Sequence, residues 1–164
     1  MRRCIIALCI LALSLVSCTT GNPWPEIYPI QDNAYPRIMG RGLFADAPDS
    51  LIEELGLEEG IPSSVNAFLV RTDGMEILFD AANGAEDSRL MPALDSIGVY
   101  PDGIDIVFIT HLHGDHFGGL IRNGEAAFPN AELYINKVEY DAWMSMPEDK
   151  TERLRTVLDA YRGR

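Results

Sequence analysis

Three histidines and an aspartate within six consecutive residues constrain this chain more than any other feature. They lie in the segment His111-Leu112-His113-Gly114-Asp115-His116, and the whole sequence contains only these three histidines. A neutral imidazole is the commonest metal ligand in proteins. Zinc takes nitrogen and oxygen donors at about 2.0–2.2 Å. The segment therefore predicts a metal-binding loop rather than an ordinary surface loop.

The spacing within this loop predicts two neighbouring metal positions. His111 and His113 are two residues apart, so both side chains point the same way in an extended backbone and can bind one ion together. Gly114 permits a sharp turn, after which Asp115 and His116 face a second point a few ångströms away. Two adjacent metals can lower the pKa of a bound water and polarise the bond under attack, which makes the pattern typical of hydrolysis.

The N-terminal segment has the pattern of an export signal. Arg2 and Arg3 precede a nearly unbroken apolar run at residues 4–16, which is shorter than the roughly 20 residues of a membrane-spanning helix. The string that ends at Cys18, Leu15-Val16-Ser17-Cys18, resembles a bacterial lipobox. That resemblance implies cleavage before Cys18, a lipid anchor on Cys18 and a location in the bacterial cell envelope outside the cytoplasm. An ordinary secretory signal with a chance cysteine is the alternative.

The length predicts one domain, preceded by the signal peptide at residues 1–17 and a proline-rich tether at residues 18–36. The domain itself is assigned to residues 37–164, and Cys18 is the only cysteine outside the signal, which excludes a disulfide framework. With 13 basic and 25 acidic residues the formal charge is −12. This acidic excess argues against a nucleic-acid partner, because it repels phosphates.

Alternating apolar runs and turn residues after residue 64 predict an α/β fold with helices covering a sheet. Thr72-Asp73-Gly74 predicts a hairpin between two strands, and the apolar run at residues 104–109 predicts a strand buried on both faces. The predicted strands are residues 65–70, 75–79, 104–109 and 132–135; the predicted helices are residues 49–56, 88–97, 136–145 and a last amphipathic helix around residues 154–161.

Residues 110–120 resemble the signature of the metallo-β-lactamase-fold hydrolases. The strands at residues 64–70 and 77–80, and the segments around Gly98–Asp105 and Phe128–Trp143, resemble its lactonase-like and organophosphate-hydrolase-like branches. The resemblance implies an αββα four-layer sandwich, of which this chain would supply the N-terminal half. It also implies a zinc cofactor, with two ions in a complete site.

The same resemblance implies roles for individual residues. His111 and His113 would bind the first zinc ion, and Asp115 and His116 the second. Asp115 would also act in catalysis, close to the bridging hydroxide. Asp80, at the end of a strand, would hold a ligand imidazole in the correct tautomer from behind, with a simple turn residue as the alternative. Thr110 is interpreted as a strand-end residue, and Trp143 as a helix-packing residue.

The family's remaining ligands have no counterpart in this chain, because no fourth histidine exists. We therefore expect a truncated hydrolase that uses zinc-bound hydroxide against a small ester, lactone or related bond. On its own, the 164-residue chain is expected to fold poorly and to be inactive, since one face of a half sandwich lacks its partner layer. The alternative is a non-catalytic lipoprotein that keeps the scaffold as a binding module. The sequence leaves the oligomeric state open.

Overall fold

The computed structural model describes residues 24–163, so the predicted signal peptide and Cys18 lie outside the described residues. The fold is mixed α/β, as the sequence predicts. The strands are β1 (Glu26–Gln31), β2 (Arg37–Met39), β3 (Ile61–Ser63), β4 (Asn66–Thr72), β5 (Met75–Phe79), β6 (Ile106–Ile109), β7 (Ile121–Arg122), β8 (Glu125–Ala126) and β9 (Glu132–Ile135). The helices are α1 (Asp49–Leu55), α2 (Leu90–Ser96), α3 (Gly114–Phe117), α4 (Lys137–Met144) and α5 (Glu148–Ala160).

A five-stranded mixed sheet in the order β1-β4-β5-β6-β9 forms the centre of the domain. The first three strands are antiparallel, and β5, β6 and β9 are parallel. The predicted hairpin is confirmed: Thr72 pairs with Met75, and Asp73 and Gly74 both have positive φ, at 49° and 78°. Such a two-residue turn matches the twist of the strands that it connects.

The predicted tether is wrong over part of its length, because residues 26–31 form strand β1. Pro29 lies within this strand, although the proline content of this region predicts a linker. A proline is tolerated in an edge strand, where its missing N–H would face solvent, and β1 is the edge of the sheet. Asp32 follows directly and is buried, and its Oδ1 accepts the Leu90 N–H at 3.1 Å. The folded domain therefore extends at least to Glu26.

One face of the sheet is covered and carries the core. Leu69, Leu78 and Val107 are fully buried there. They belong to one hydrophobic cluster with the apolar side chains of α2 and α5, including Leu94 and Leu154. This is the packing that the amphipathic pattern of the last helix predicts.

The opposite face of the sheet is open and aromatic. Phe68, Phe108 and Tyr134 are 44%, 40% and 45% exposed. Phe108 lies with its ring centroid 5.6 Å from Phe79 and 6.1 Å from Tyr134, so the rings form a continuous row across neighbouring strands. The prediction that β6 is buried on both faces is therefore wrong for these residues. The expectation of a sheet face without a partner layer agrees with this arrangement.

The helix limits follow local sequence. Asn136 caps α4 as predicted, since its Oδ1 accepts the N–H groups of Val138 at 2.8 Å and Glu139 at 3.4 Å. Gly56 ends α1 with φ 65°, and Gly98, with φ 78°, follows α2. Within residues 24–163, no helix is both long enough and apolar enough to cross a membrane.

Candidate metal centre

The histidine-rich loop lies at the carboxyl ends of two adjacent parallel strands. Asp80 follows β5, and Thr110 follows β6, and the paired residues Phe79 and Phe108 bring the two ends together. In open α/β sheets ligands bind in the crevice beyond the carboxyl ends of parallel strands. The loop then enters the short helix α3 at Gly114, with His113 as the residue before it.

Asp80 is the buried support of this loop. Its side chain is 9% exposed, and its Oδ2 lies 2.8 Å from Nδ1 of His116. Its Oδ1 accepts the Thr110 backbone N–H at 2.8 Å. A proton on Nδ1 of His116 is then shared with a carboxylate, which leaves the Nε2 lone pair free to face a metal ion. The structure thus places the Asp80 carboxylate beside the His116 imidazole, and its role in orienting a metal ligand stays a prediction.

The Thr110 hydroxyl lies between His111 at the start of the loop and Asp80, which contacts His116 at the end of the loop. This hydroxyl lies 3.0 and 2.9 Å from the two Asp80 oxygens and 3.2 Å from Nδ1 of His111. One consistent proton arrangement has His111 Nδ1–H donating to Thr110 and the Thr110 hydroxyl donating to Asp80. In that arrangement Nε2 of His111 also keeps its lone pair. The sequence predicts only a strand-end residue at Thr110, although a polar side chain directly before His111 indicates this contact.

The three imidazoles lie together. Nε2 of His111 is 3.2 Å from Nδ1 of His113, so these two nitrogens face each other as the alternating spacing predicts. The ring centroids of His111 and His116 are 3.9 Å apart. Nε2 of His116 lies 3.9 Å from Oδ1 of Asp115. The loop therefore presents two pairs of donors, His111 with His113 and Asp115 with His116.

This donor set fits divalent zinc in its chemistry, with three imidazoles, one carboxylate and a buried carboxylate that orients an imidazole. Within residues 24–163, no group of three histidine, cysteine, aspartate or glutamate side chains is arranged to hold one ion. Each pair of donors would therefore need further ligands to complete a coordination sphere. The predicted ligand roles of His111, His113, Asp115 and His116, and the catalytic role of Asp115, stay predictions.

The C-terminal part of the loop packs backbone against backbone on the segment that follows β5. A Cβ placed on Gly118 would lie 2.2 Å from the carbonyl oxygen of Asn83, and one on Gly119 would lie 2.0 Å from that of Ala81. The Ala81 N–H donates to the His116 carbonyl at 2.7 Å. Only glycine fits such an approach, because a side chain at either position would collide with these carbonyl groups.

Glu139 of α4 is a site residue that the sequence analysis missed. Its Oε1 accepts the backbone N–H of Leu112 at 3.1 Å and the indole N–H of Trp143 at 3.2 Å. The Leu112 hydrogen bond is the main cause that lowers the pKa of Glu139 from its ordinary value of 4.5. The Trp143 N–H and the neighbouring imidazoles of the loop lower this pKa further. No sequence pattern joins positions 112 and 139, so only the tertiary structure reveals the contact.

Comparisons with known proteins match this part of the chain. A family model described as the metallo-beta-lactamase superfamily matches residues 60–156. Ribonuclease Z from Saccharolobus islandicus is 39% identical over 70 residues, which are 41% of this chain and 22% of that protein. An N-acyl homoserine lactonase from Bacillus thuringiensis is 35% identical over 63 residues, which are 38% of this chain and 23% of that protein. The matched region thus spans under a quarter of either relative.

Solved structures show the same fold over a longer stretch. The hydrolase AbOPH of the beta lactamase superfamily is 28% identical with a TM-score of 0.66, over 83% of this chain and 53% of that chain. The dizinc quorum-quenching lactonase AidC is 20% identical with a TM-score of 0.71, over 83% of this chain and 56% of that chain. This chain spans about half the length of each. Because the family match includes the histidine-rich loop and covers more than half of the chain, the chain belongs to the metallo-β-lactamase superfamily.

Proposed function

We propose that this chain carries the N-terminal part of a zinc-dependent hydrolase that acts on a small ester, lactone or related bond. The observation that carries the proposal is the convergence of three imidazoles at the ends of β5 and β6, with His116 held from behind by the buried Asp80. The similar lactonases and hydrolases support the same class of chemistry.

The chain's own residues would bind and orient the ions. His111 and His113 would hold one ion, and Asp115 and His116 the other, as the facing donor pairs allow. Bound divalent ions supply a lowered pKa of water and a polarised substrate bond. Oδ1 of Asp115 lies 3.9 Å from Nε2 of His116. The Asp115 side chain also contacts solvent, since it is 46% exposed. We infer that Asp115 accepts a proton from a water molecule at the mouth of the site.

We further propose that a second β-layer covers the aromatic face of the sheet in the complete enzyme and brings the remaining ligands. The exposed side chains of Phe68, Phe108 and Tyr134 support this, with the half-buried Phe79 beside Phe108, because an apolar face of this kind marks an interface. A second observation supports the same proposal: within residues 24–163, each donor pair lacks the further ligands that a metal ion needs. This part of the proposal predicts metal binding by the chain without turnover.

A small substrate with an apolar part suits the surroundings of the site. Strand β1 ends and β4 begins at the end of the sheet where β5 and β6 terminate, so residues 32–65 emerge beside the metal loop. This segment carries exposed apolar side chains, including Tyr35, Leu43 and Leu55. The formal charge of −12 disfavours a polyanionic substrate such as RNA.

Metal content tests the proposal. The 164-residue chain is dialysed against zinc, and bound metal is measured by elemental analysis. We expect the parent chain to bind zinc. His111→Ala should lose the bound zinc, and Asp115→Asn should bind less of it. Asp95→Asn, on the exposed surface of α2, should bind as much as the parent. Equal zinc content in Asp115→Asn and Asp95→Asn, or no bound zinc in the parent, would contradict the proposal.

Activity separates the two parts of the proposal. Hydrolysis of a panel of lactones and aryl esters is followed with and without a chelator. Turnover by the isolated chain that zinc restores after chelation would support the hydrolase and refute the need for a second layer. Zinc binding without turnover is the expected outcome.

The location is also a proposal: we infer a lipid anchor at Cys18 and a place in the cell envelope outside the cytoplasm. The apolar run before Cys18 and the adjacent lipobox-like string support it. Metabolic labelling with a radioactive fatty acid should label the parent chain and not Cys18→Ser. Equal labelling, or none in the parent, would overturn it.

A further inference from the structure

Helix α4 reaches the metal loop through one carboxylate. Glu139 accepts the Leu112 amide N–H at 3.1 Å and, on the same oxygen, the Trp143 indole N–H at 3.2 Å. Asn136 caps the first turn of α4 and so fixes the backbone that carries Glu139. The indole of Trp143 in turn lies edge-on to the imidazole of His113, with ring centroids 6.3 Å apart and an interplanar angle of 77°.

The hydrogen bond from Leu112 to Glu139 acts on the backbone between His111 and His113. Leu112 lies between the two histidines of the first donor pair, and its side chain is fully buried. Its peptide N–H and its side chain together set the rotation of the backbone at this point. That rotation decides whether His111 and His113 point to the same place, since residues two apart share a side only while the backbone stays extended.

The two donor pairs are supported differently. His116 is oriented by the buried Asp80 and by the backbone packing of Gly118 and Gly119. His113 is exposed. Beside it, the Leu112 N–H donates a hydrogen bond to Glu139 of α4. The aromatic edge of Trp143 limits the rotation of the His113 ring on the same side.

We propose that Glu139 and Trp143 are positioning residues that hold His111 and His113 in the paired arrangement that binds the first metal ion. They act through Leu112 and through the His113 ring, and neither is a ligand. This inference rests on the proposed function, because its consequence for chemistry is metal affinity at the first donor pair. Its geometric content applies to the metal-free chain as well.

The experiment compares Glu139→Ala, Glu139→Gln and Asp141→Ala in the 164-residue chain. Glutamine keeps an oxygen that can accept both N–H groups, and alanine keeps none. Asp141→Ala is the matched control, since Asp141 lies on the same helix and pairs with Lys137 at 2.6 Å without reaching the loop. Zinc affinity is measured by competition with a chromophoric chelator, and cobalt(II) spectra report ligand geometry.

We expect Glu139→Ala to lose about tenfold in zinc affinity, as for outer partners of metal ligands. Its cobalt spectrum should change, while Glu139→Gln and Asp141→Ala should stay close to the parent in both measurements. Far-UV circular dichroism should be the same in all four proteins. An equal loss in Glu139→Ala and Asp141→Ala would assign the effect to helix stability and overturn the positioning role, as would unchanged affinity and spectrum in Glu139→Ala.

A metal-free measurement separates this inference from the proposed function. Nuclear Overhauser contacts between the His111 and His113 rings should be present in the parent and in Glu139→Gln, and absent in Glu139→Ala. Trp143→Phe, which removes the indole N–H and keeps an aromatic ring, should retain them in weakened form. If the parent binds no zinc, the proposed function fails, and these contacts alone decide the positioning role. Their persistence in Glu139→Ala would refute it.

Discussion

The two halves of the metal loop are held in contrasting ways. The C-terminal half, from Asp115 to Gly119, packs against the segment after β5 through backbone hydrogen bonds and glycine contacts, and Asp80 supports it from a buried position. The N-terminal half, from His111 to His113, is held by side chains: the Leu112 N–H donates to Glu139 of α4, and Nδ1 of His111 lies 3.2 Å from the Thr110 hydroxyl. Backbone packing therefore fixes the C-terminal half of the loop, whereas individual side chains orient the N-terminal half.

Four predictions test this contrast, beginning with the backbone packing. Gly118→Ala should destabilise the chain by about 1–3 kcal/mol, the usual cost of overpacking, because the new Cβ would meet the Asn83 carbonyl at 2.2 Å. Gly114→Ala, between the two halves of the loop, should cost much less, since its nearest neighbour is the flexible end of Arg153 at 3.4 Å. Urea unfolding followed by circular dichroism measures both. Equal midpoints would show that the backbone contact at Gly118 does not fix the C-terminal half.

The second prediction concerns the buried carboxylate. Asp80→Asn should lower zinc affinity by about 10–100-fold, because an amide donor facing Nδ1 of His116 would favour the wrong tautomer. Asp105→Asn is the matched control: its carboxylate also accepts a backbone N–H, from Glu76 at 2.8 Å, beside the opposite end of β6. Chelator competition reports the affinities. A smaller loss of zinc affinity in Asp80→Asn than in Glu139→Ala would contradict the prediction that Asp80 is the more important support.

The third prediction concerns the residue that joins both halves. Thr110→Val removes a hydroxyl that lies between Asp80 and His111. Net hydrogen-bond contributions of about 0.5–1.5 kcal/mol correspond to a loss of about two- to tenfold in zinc affinity. Thr110→Ser keeps the hydroxyl and should behave like the parent in the same titration. A parent-like affinity in Thr110→Val would show that the hydroxyl does not couple the halves.

The smallest expected effect is a pH dependence at the N-terminal half. The pKa of Glu139 is lowered chiefly by the Leu112 N–H. A carboxyl whose pKa is lower in the folded state contributes its full stability above the unfolded-state pKa and loses it as the pH falls through the folded-state value. The Leu112 amide proton shift should therefore titrate with a midpoint below 4.5, the ordinary value for this carboxyl. Nuclear magnetic resonance measures this shift, and Glu139→Gln should abolish the titration. A midpoint at or above 4.5 would contradict the assignment.

Local sequence was sufficient for several elements of the fold. The Asp73-Gly74 hairpin, strand β9 and the Asn136 cap of α4 occur where the sequence predicts them. Each depends on neighbouring residues alone, such as a turn that needs positive φ or a side chain that caps its own helix. Strand β1 was missed because proline content indicates a linker unless the strand is known to be an edge.

The sequence alone supplied the candidate donor groups of this protein: three imidazoles and a carboxylate in one short loop, and an aspartate at the end of a strand. These follow from residue type and spacing, which are local properties. The tertiary structure decided what supports that chemistry, namely the Asp80–His116 contact, the bridging Thr110 hydroxyl and the reach of Glu139 to Leu112. These contacts join positions up to 36 residues apart. No periodic pattern encodes such separations, since only the packing of strands and helices brings the side chains together.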